Sequence, residues 1–335
     1  MIIDMPATTS GKIESKLVDL KQNGNAVALG RVLTLVILAD ETNPVLDPHD
    51  QHTDAETAIR AANDASREHP SRVLVLTGQQ GNKPNLDAQI RIGGDAGASE
   101  VVLLKLTGPL RAQTEPVITP LLVPDTPIVA WWPRHAPQAP SSDPVGGIAA
   151  LRITDSAHCR DGAAVLLRLA QNYRPGDTDL SWARLTGWRA QIAAALDLPP
   201  FEPVESVTVY GKSDHSTLLL LAGWLAVQLG CPTIVQDVPG TDCITKVVLH
   251  RAATPTGNLT QSATGPLPTN AGDIVFTRED DGQTLTIAQP GFPLRRVALP
   301  MPTLSEALIE ELRRLDADKV YEKVLTVGLG KVAFA

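Results

Sequence analysis

Two apolar runs separated by a helix-length segment constrain this chain more than any other feature in it. RVLTLVILAD, residues 31–40, and SRVLVLTG, residues 71–78, are apolar, partly β-branched and largely without polar alternation. A strand of that kind is covered on both faces. Between them, Thr53 and Glu56 stand at capping-box spacing and open an alanine-rich segment that reaches Glu68, with Pro70 as its stop. Strand, crossover helix, strand implies a parallel pair inside an α/β layer.

The neighbouring sequence extends that layer. Ile13, Leu17 and Leu20 recur at helical spacing and predict an amphipathic helix over residues 11–22. LDAQIRIGG, EVVLLKLTG and EPVITPLLVPDTPIVAWWP add strands. DAQIRI alternates, which places it near an edge or on an antiparallel hairpin. PRHAPQAPSSDPVGG reads as a loop, and LRITDSAHC leads into a helical region with helices over 162–172 and 180–196.

A second β–α–β pattern follows: ESVTVYG, a helix from Asp214 to Leu229, then PTIVQDV, with TKVVLHRA continuing it. GDIVFTRED, GQTLTIAQ and LRRVALP, separated by DG and PG turns, predict an antiparallel meander. Thr303 and Glu306 form another capping box ahead of Leu304, Leu308, Leu312 and Leu315, and a last helix covers 319–327. With 335 residues, long for one core, the expectation is two α/β domains with mostly parallel sheets. They cover residues 1–156 and 157–335, the second beginning with the helical region and carrying an antiparallel extension.

The net charge of -8 opposes binding to nucleic acid or an anionic membrane surface, since both need a basic field. The most apolar stretch, LLLLAGWLAVQL at 218–229, is about half the ~20 residues of a spanning helix and reads as a core helix. The first residues lack the pattern of a secretory signal. Cys159, Cys231 and Cys243 form neither a disulfide framework nor a zinc motif, so the expected compartment is the cytoplasm. Redox control through these thiols is a further reading.

Chemistry is harder to find. In YGKSDHSTLLLLAGW a strand meets a Gly-Lys-Ser loop and a helix, so Lys212, Ser213, Ser216 and Thr217 are candidates for holding an anion. The glycine that a phosphate-binding GxxxxGK[ST] loop requires is missing. Ser213, Asp214 and His215 are adjacent, and a triad needs converging side chains instead. IRIGGDAGASEVV misses GxGxxG and runs into a strand. His49 and His52 lie in an acidic loop better read as solvated than as a metal site, and His158 beside Cys159 lacks a second ligand pair. No metal, cofactor or catalytic set is therefore expected.

Several stretches taken together resemble one family. NAVALGRVLTLVI, AANDASREHPSRVLVL, LDAQIRIGGDAGASEVVLLKLTGPL, PLLVPDTPIVAWWP, RITDS and LAGWLAVQLG, in that order, are similar to the glucose-6-phosphate dehydrogenase assembly proteins, the OpcA family. The resemblance implies a non-catalytic partner that binds glucose-6-phosphate dehydrogenase, favours its active oligomer and so supports NADPH supply through the oxidative pentose phosphate pathway. It carries over no site residue and leaves the protein's own oligomeric state open. The alternative is an enzyme or metabolite sensor that binds a sugar phosphate at the 210–217 strand–loop–helix.

The aromatic pair Trp131–Trp132 gains a meaning from this. Adjacent residues of a strand point to opposite faces, so both rings cannot enter one core. Either the second ring is a wedge under the 180–196 helical region, or Trp131, Trp132 and Arg134 anchor the partner.

Overall fold

A computed structural model describes residues 1–22, 30–39, 53–93, 100–159, 161–199, 201–251 and 272–335. The His49–His52 loop, most of the glycine cluster after Ile92 and the Thr/Pro/Gly/Ser-rich segment at 254–270 lie outside the described residues. The chain divides into two compact units. One comprises Met1–Arg160, Asn172–Ala183 and Pro302–Asp318; the other comprises Asp161–Gln171, Arg184–Met301 and Lys319–Ala335.

The first unit holds an eight-stranded sheet. Its strands are β1 (Ile2–Met5), β2 (Leu33–Ala39), β3 (Ser71–Gln79), β4 (Asn85–Ile92), β5 (Glu100–Thr107), β6 (Ile128–Trp132), β7 (Leu151–Thr154) and β8 (Asp177–Asp179). They are ordered β1-β4-β5-β3-β2-β6-β7-β8. All neighbours from β5 to β8 are parallel, whereas the alternating β4 runs antiparallel to β5 and to the edge strand β1.

The continuous apolar strands are buried on both faces, as their lack of alternation requires. Leu35 and Ile37 enter one core with Ala58 and Ala62 of the Asp54–Ala65 helix and with Leu308 and Leu312. Val36 and Leu74 enter the other, where Ile13, Leu17 and Leu20 of the Ser10–Gln22 helix cover them. Thr53 caps the first of these helices through the Glu56 amide, but the Glu56 side chain leaves the reciprocal bond of a capping box to grip Arg91 instead. Thr303 and Glu306 do form the complete box.

Three segments depart from the expectation. Thr114–Ile118 is helical rather than a strand, with Pro116 in a first turn that does not need its N–H. LRIT and DTD are two further parallel strands, β7 and β8, rather than parts of a helical region. The 180–196 helix is interrupted: Leu180–Ala183 belongs to the first unit, Thr186–Leu196 to the second.

The second unit is a seven-stranded sheet of β9 (Val204–Gly211), β10 (Thr233–Asp237), β11 (Ile244–Arg251), β12 (Ile274–Arg278), β13 (Thr284–Ala288), β14 (Arg295–Ala298) and β15 (Val332–Phe334). Its order is β14-β13-β12-β11-β9-β10-β15. β9, β10 and β15 are mutually parallel, and the rest is antiparallel. β11 thus turns back beside β9 instead of continuing the β–α–β pattern. The Ser216–Leu229 helix is apolar nearly all round because it is buried nearly all round. Its Gly223 lies against Gly328 of the final turn, where a Cβ would stand 2.6 Å from the Gly223 carbonyl oxygen.

Candidate functional site

In open parallel sheets, ligands meet the carboxyl ends of the strands where the strand order reverses. In the first unit that point falls between β2 and β6, since β3 lies on the other side of β2. Asp54 opens the helix that follows β2, and Arg134 stands two residues beyond β6. Arg134 Nε lies 2.6 Å from Asp54 Oδ1, so an ion pair, its carboxylate buried, bridges the switch point.

The tryptophans lie directly below it. Trp131 is 0% exposed and shares a core with Leu180 and Ala183; Trp132 is 4% exposed and packs in the opposite core with Val145. The ring near the Leu180 helix is therefore Trp131, and the Trp132 ring lies under Gly146 on the other side of the sheet. Both indoles are structural in position, and the exposed groups of the segment after β6 are His135 and Gln138, with Arg134 half-buried.

A buried polar cluster caps β7 and β8. The Asp179 carboxylate accepts from Thr154 Oγ1 (2.7 Å), from the Ser156 amide (3.0 Å) and hydroxyl (2.9 Å), and from the Ser181 amide (2.9 Å). Ser156 Oγ is also 3.1 Å from Ser181 Oγ. Beside this cluster, buried Asp155 accepts from His158 Nδ1 at 2.8 Å, with the His158 side chain 47% exposed. Cys159 Sγ donates to the Arg134 carbonyl at 2.7 Å. The Asp–His pair is oriented as a proton-accepting dyad would be, but the neighbouring hydroxyls are engaged with Asp179 and with each other.

These carboxylates escape a reading of the sequence alone. Their signal is local: Thr154-Asp155-Ser156 and Thr178-Asp179-Leu180-Ser181 put a Thr-Asp step and a serine at the ends of two strands. Taking LRITDS and PGDTD as helical surroundings hides the fact that those strands are adjacent.

The second candidate is a cleft of about 440 Å³ in the second unit, at the carboxyl ends of β9 and β10. Lys212, Ser213, Asp214, Asp237 and Asp242 line it. The Ser213 amide, one of the groups an anion would use, donates to Asp237 Oδ1 at 2.9 Å. That bond, joined by one from the Ser213 side chain, holds the Asp237 carboxyl below its ordinary range and keeps it ionised. Lys212 lies 3.7 Å from Asp214. Ser216 and Thr217 are buried at the start of the helix, whose cap is His215, accepting from the Thr217 amide. An anion here would meet three carboxylates and one lysine, so the charge disfavours a sugar phosphate.

Among the described residues, no group of three or more His, Cys, Asp or Glu side chains is placed to hold a metal ion, and no helix is long and apolar enough to cross a membrane.

Comparison with known proteins places both halves of the chain in one family. Among solved structures, a UDP-N-acetylglucosamine 3-dehydrogenase, GnnA, from Acidithiobacillus ferrooxidans is 10% identical with a TM-score of 0.37, over 90% of this chain and 97% of that one. An E. coli chain described as trehalose-6-phosphate bound with UDP-2-fluoro glucose is 10% identical with a TM-score of 0.25, over 62% and 65% of the two chains. Scores that low establish neither a shared activity nor a shared site. A relative from Synechocystis sp., described as a putative OxPP cycle protein OpcA, is 30% identical over 158 residues, which is 44% of this chain and 33% of the relative. The match thus spans about a third of that relative's length. Residues 62–171 match the N-terminal domain, and residues 175–325 the C-terminal domain, of the family described as glucose-6-phosphate dehydrogenase subunit. The two matches follow in order and take in most of the sequence: the chain belongs to the OpcA family of glucose-6-phosphate dehydrogenase assembly proteins.

Proposed function

We propose that this protein binds glucose-6-phosphate dehydrogenase and promotes its active oligomer, in the oxidative pentose phosphate pathway, without catalysing a reaction itself. The observation that carries this reading is the match of both halves to domains described as parts of a glucose-6-phosphate dehydrogenase subunit. The chemistry of the carboxyl-end clusters is in keeping with it. Ser156 and Ser181 are bound to Asp179 and to each other, and Arg134 to Asp54, so the polar groups serve the scaffold.

An activator of this kind works by differential affinity. It must bind the active oligomer more tightly than the inactive form, since equal affinity shifts nothing. A coupling of about 1–3 kcal/mol corresponds to changes of roughly 5- to 150-fold. Within the first unit we place the contact at the segment after β6. Trp131 and Trp132 hold that segment from below, one in each core, Asp54 holds Arg134, and His135 faces the partner.

The test is a titration of purified protein into the dehydrogenase, with mass and activity read together. Formation of a complex with raised activity supports the reading, and absence of both overturns it.

A further inference from the structure

In the second unit a hydroxyl, an imidazole and a carboxylate stand in line. Val207 and Val209 of β9 are 0% exposed, so Thr208 between them turns to the other face of the sheet, where it is half-buried. Its register partner on β11 is Val248. His250, two residues further along β11, is therefore a diagonal neighbour of Thr208 on that face, a relation that long side chains can bridge. Thr208 Oγ1 and His250 Nε2 lie 2.9 Å apart. On the other side of the ring, His250 Nδ1 lies 3.1 Å from Oδ2 of Asp273, the residue before β12.

The direction of these bonds follows from their chemistry. A carboxylate only accepts, so Nδ1 carries the proton and donates to Asp273. In the neutral ring Nε2 is then an acceptor, and the Thr208 hydroxyl donates to it. Asp273 is 0% exposed and fixes the tautomer and orientation of the ring, whereas the His250 side chain is 28% exposed. The order is that of a nucleophile, its base and an orienting group. In the first unit Asp155 and His158 supply the last two, but Ser156 and Ser181 are bound to Asp179 and to each other. Lys246 is the other diagonal neighbour of Thr208 on β11, its Nζ 5.3 Å from the centre of the Tyr210 ring. Ile234 of β10, 36% exposed, flanks Thr208 on the side away from β11.

We propose that Thr208 is a site of covalent acylation, taking an acyl group from an activated ester. Thr208 Oγ1 attacks the acyl carbon while its proton passes to His250 Nε2. The new C–O bond forms, the bond to the leaving alkoxide breaks, and His250 returns the proton to that alkoxide. Asp273 stabilises the imidazolium in between, Lys246 supplies positive charge on the same face for the oxyanion, and Ile234 offers the acyl chain an apolar contact. The inference is independent of the assembly role, which stands or falls on its own titration.

The experiment is incubation of the full chain with p-nitrophenyl acetate, quenched in acid and followed by peptide mass mapping. The expected result is an acetyl group on Thr208, acquired at least about 100-fold faster than in the urea-unfolded chain, as for the gain of a general base. His250→Gln should slow this labelling by a similar factor, and Asp273→Asn should slow it too. Thr208→Val keeps the shape of the side chain and should lose the label from the β9 peptide, whereas Thr208→Ser should keep it. The Tm of each variant checks that it folds, and the comparison of folded with unfolded parent needs no variant at all. A parent chain left without acetyl on Thr208, or labelled there no faster when folded than when unfolded, would overturn the proposal. So would folded His250→Gln that is labelled as fast as the parent.

Discussion

Trp131 and Trp132 are neighbours in sequence and belong to different cores, one on each face of the same sheet. A strand at the centre of a three-layer unit has two faces to bury, and the pair fills both. Each ring is nearly inaccessible, so Trp131→Ala and Trp132→Ala should each lower stability by about 3–5 kcal/mol in urea unfolding. A loss under about 0.5 kcal/mol, the range of surface changes, would contradict this placement.

The indole nitrogens separate two tryptophans of the first unit. Trp131 Nε1 is buried with no hydrogen-bond partner among the described residues, whereas Trp182 Nε1 donates to Asp318 at 2.8 Å. Trp131→Phe therefore gives up ring area alone, while Trp182→Phe also gives up a bond to a carboxylate worth about 1.5–3 kcal/mol. Denaturant midpoints should rank Trp182→Phe below Trp131→Phe, and the reverse order would refute the assignment.

Gly146 sets how closely the loop after β6 can lie on Trp132. A Cβ there would stand 1.8 Å from the Pro140 carbonyl oxygen, whereas one on Gly147 meets nothing nearer than 3.8 Å. Both glycines lie in the short Pro144–Ile148 helix, where alanine is intrinsically favoured by about 1 kcal/mol. Gly147→Ala should be neutral or stabilising and Gly146→Ala destabilising by calorimetric Tm. Equal effects would show that the close approach is absent.

The sheet of the first unit is legible in the sequence because continuous apolar runs have one comfortable home, a strand covered on both sides. The helix caps are legible through Thr53 and Thr303, since capping is a local contact. Val117 and Ile118 mislead, because they are β-branched residues that tertiary burial holds in a helix. The carboxylates of the candidate site are less visible. Asp54 and Arg134 meet only when β2 and β6 pair, a relation across 80 positions of chain that no local pattern encodes. The shortness of β7 and β8 hides Asp155 and Asp179 in the same way, because strands of four and three residues show little periodicity.

The Lys212 cleft has a pH signature. Hydrogen bonds from Ser213, the backbone amide first, depress Asp237 below its ordinary value of 3.8. For a depressed acid, the stabilisation is fully present above the ordinary value and is lost as pH falls through the lower, folded value. The Ser213 amide resonance should therefore titrate with a midpoint below 3.8 and should not do so in Asp237→Asn. A midpoint at or above that value would show that the bond does not form in solution.

Arg134 and His135 divide structure from contact. Arg134→Gln removes the ion pair to the buried Asp54 carboxylate and should lower the urea midpoint measurably. His135→Ala, at an exposed position, should change stability by less than about 0.5 kcal/mol yet weaken activation of the dehydrogenase. Unaltered activation by His135→Ala would move the contact away from the segment after β6.

The most direct measurement is the titration of this protein into purified glucose-6-phosphate dehydrogenase, with light-scattering mass and initial rates taken on the same samples. A saturable rise in rate that tracks the appearance of a larger complex is the predicted result. A dehydrogenase whose mass and rate stay constant across the titration would contradict the assembly role.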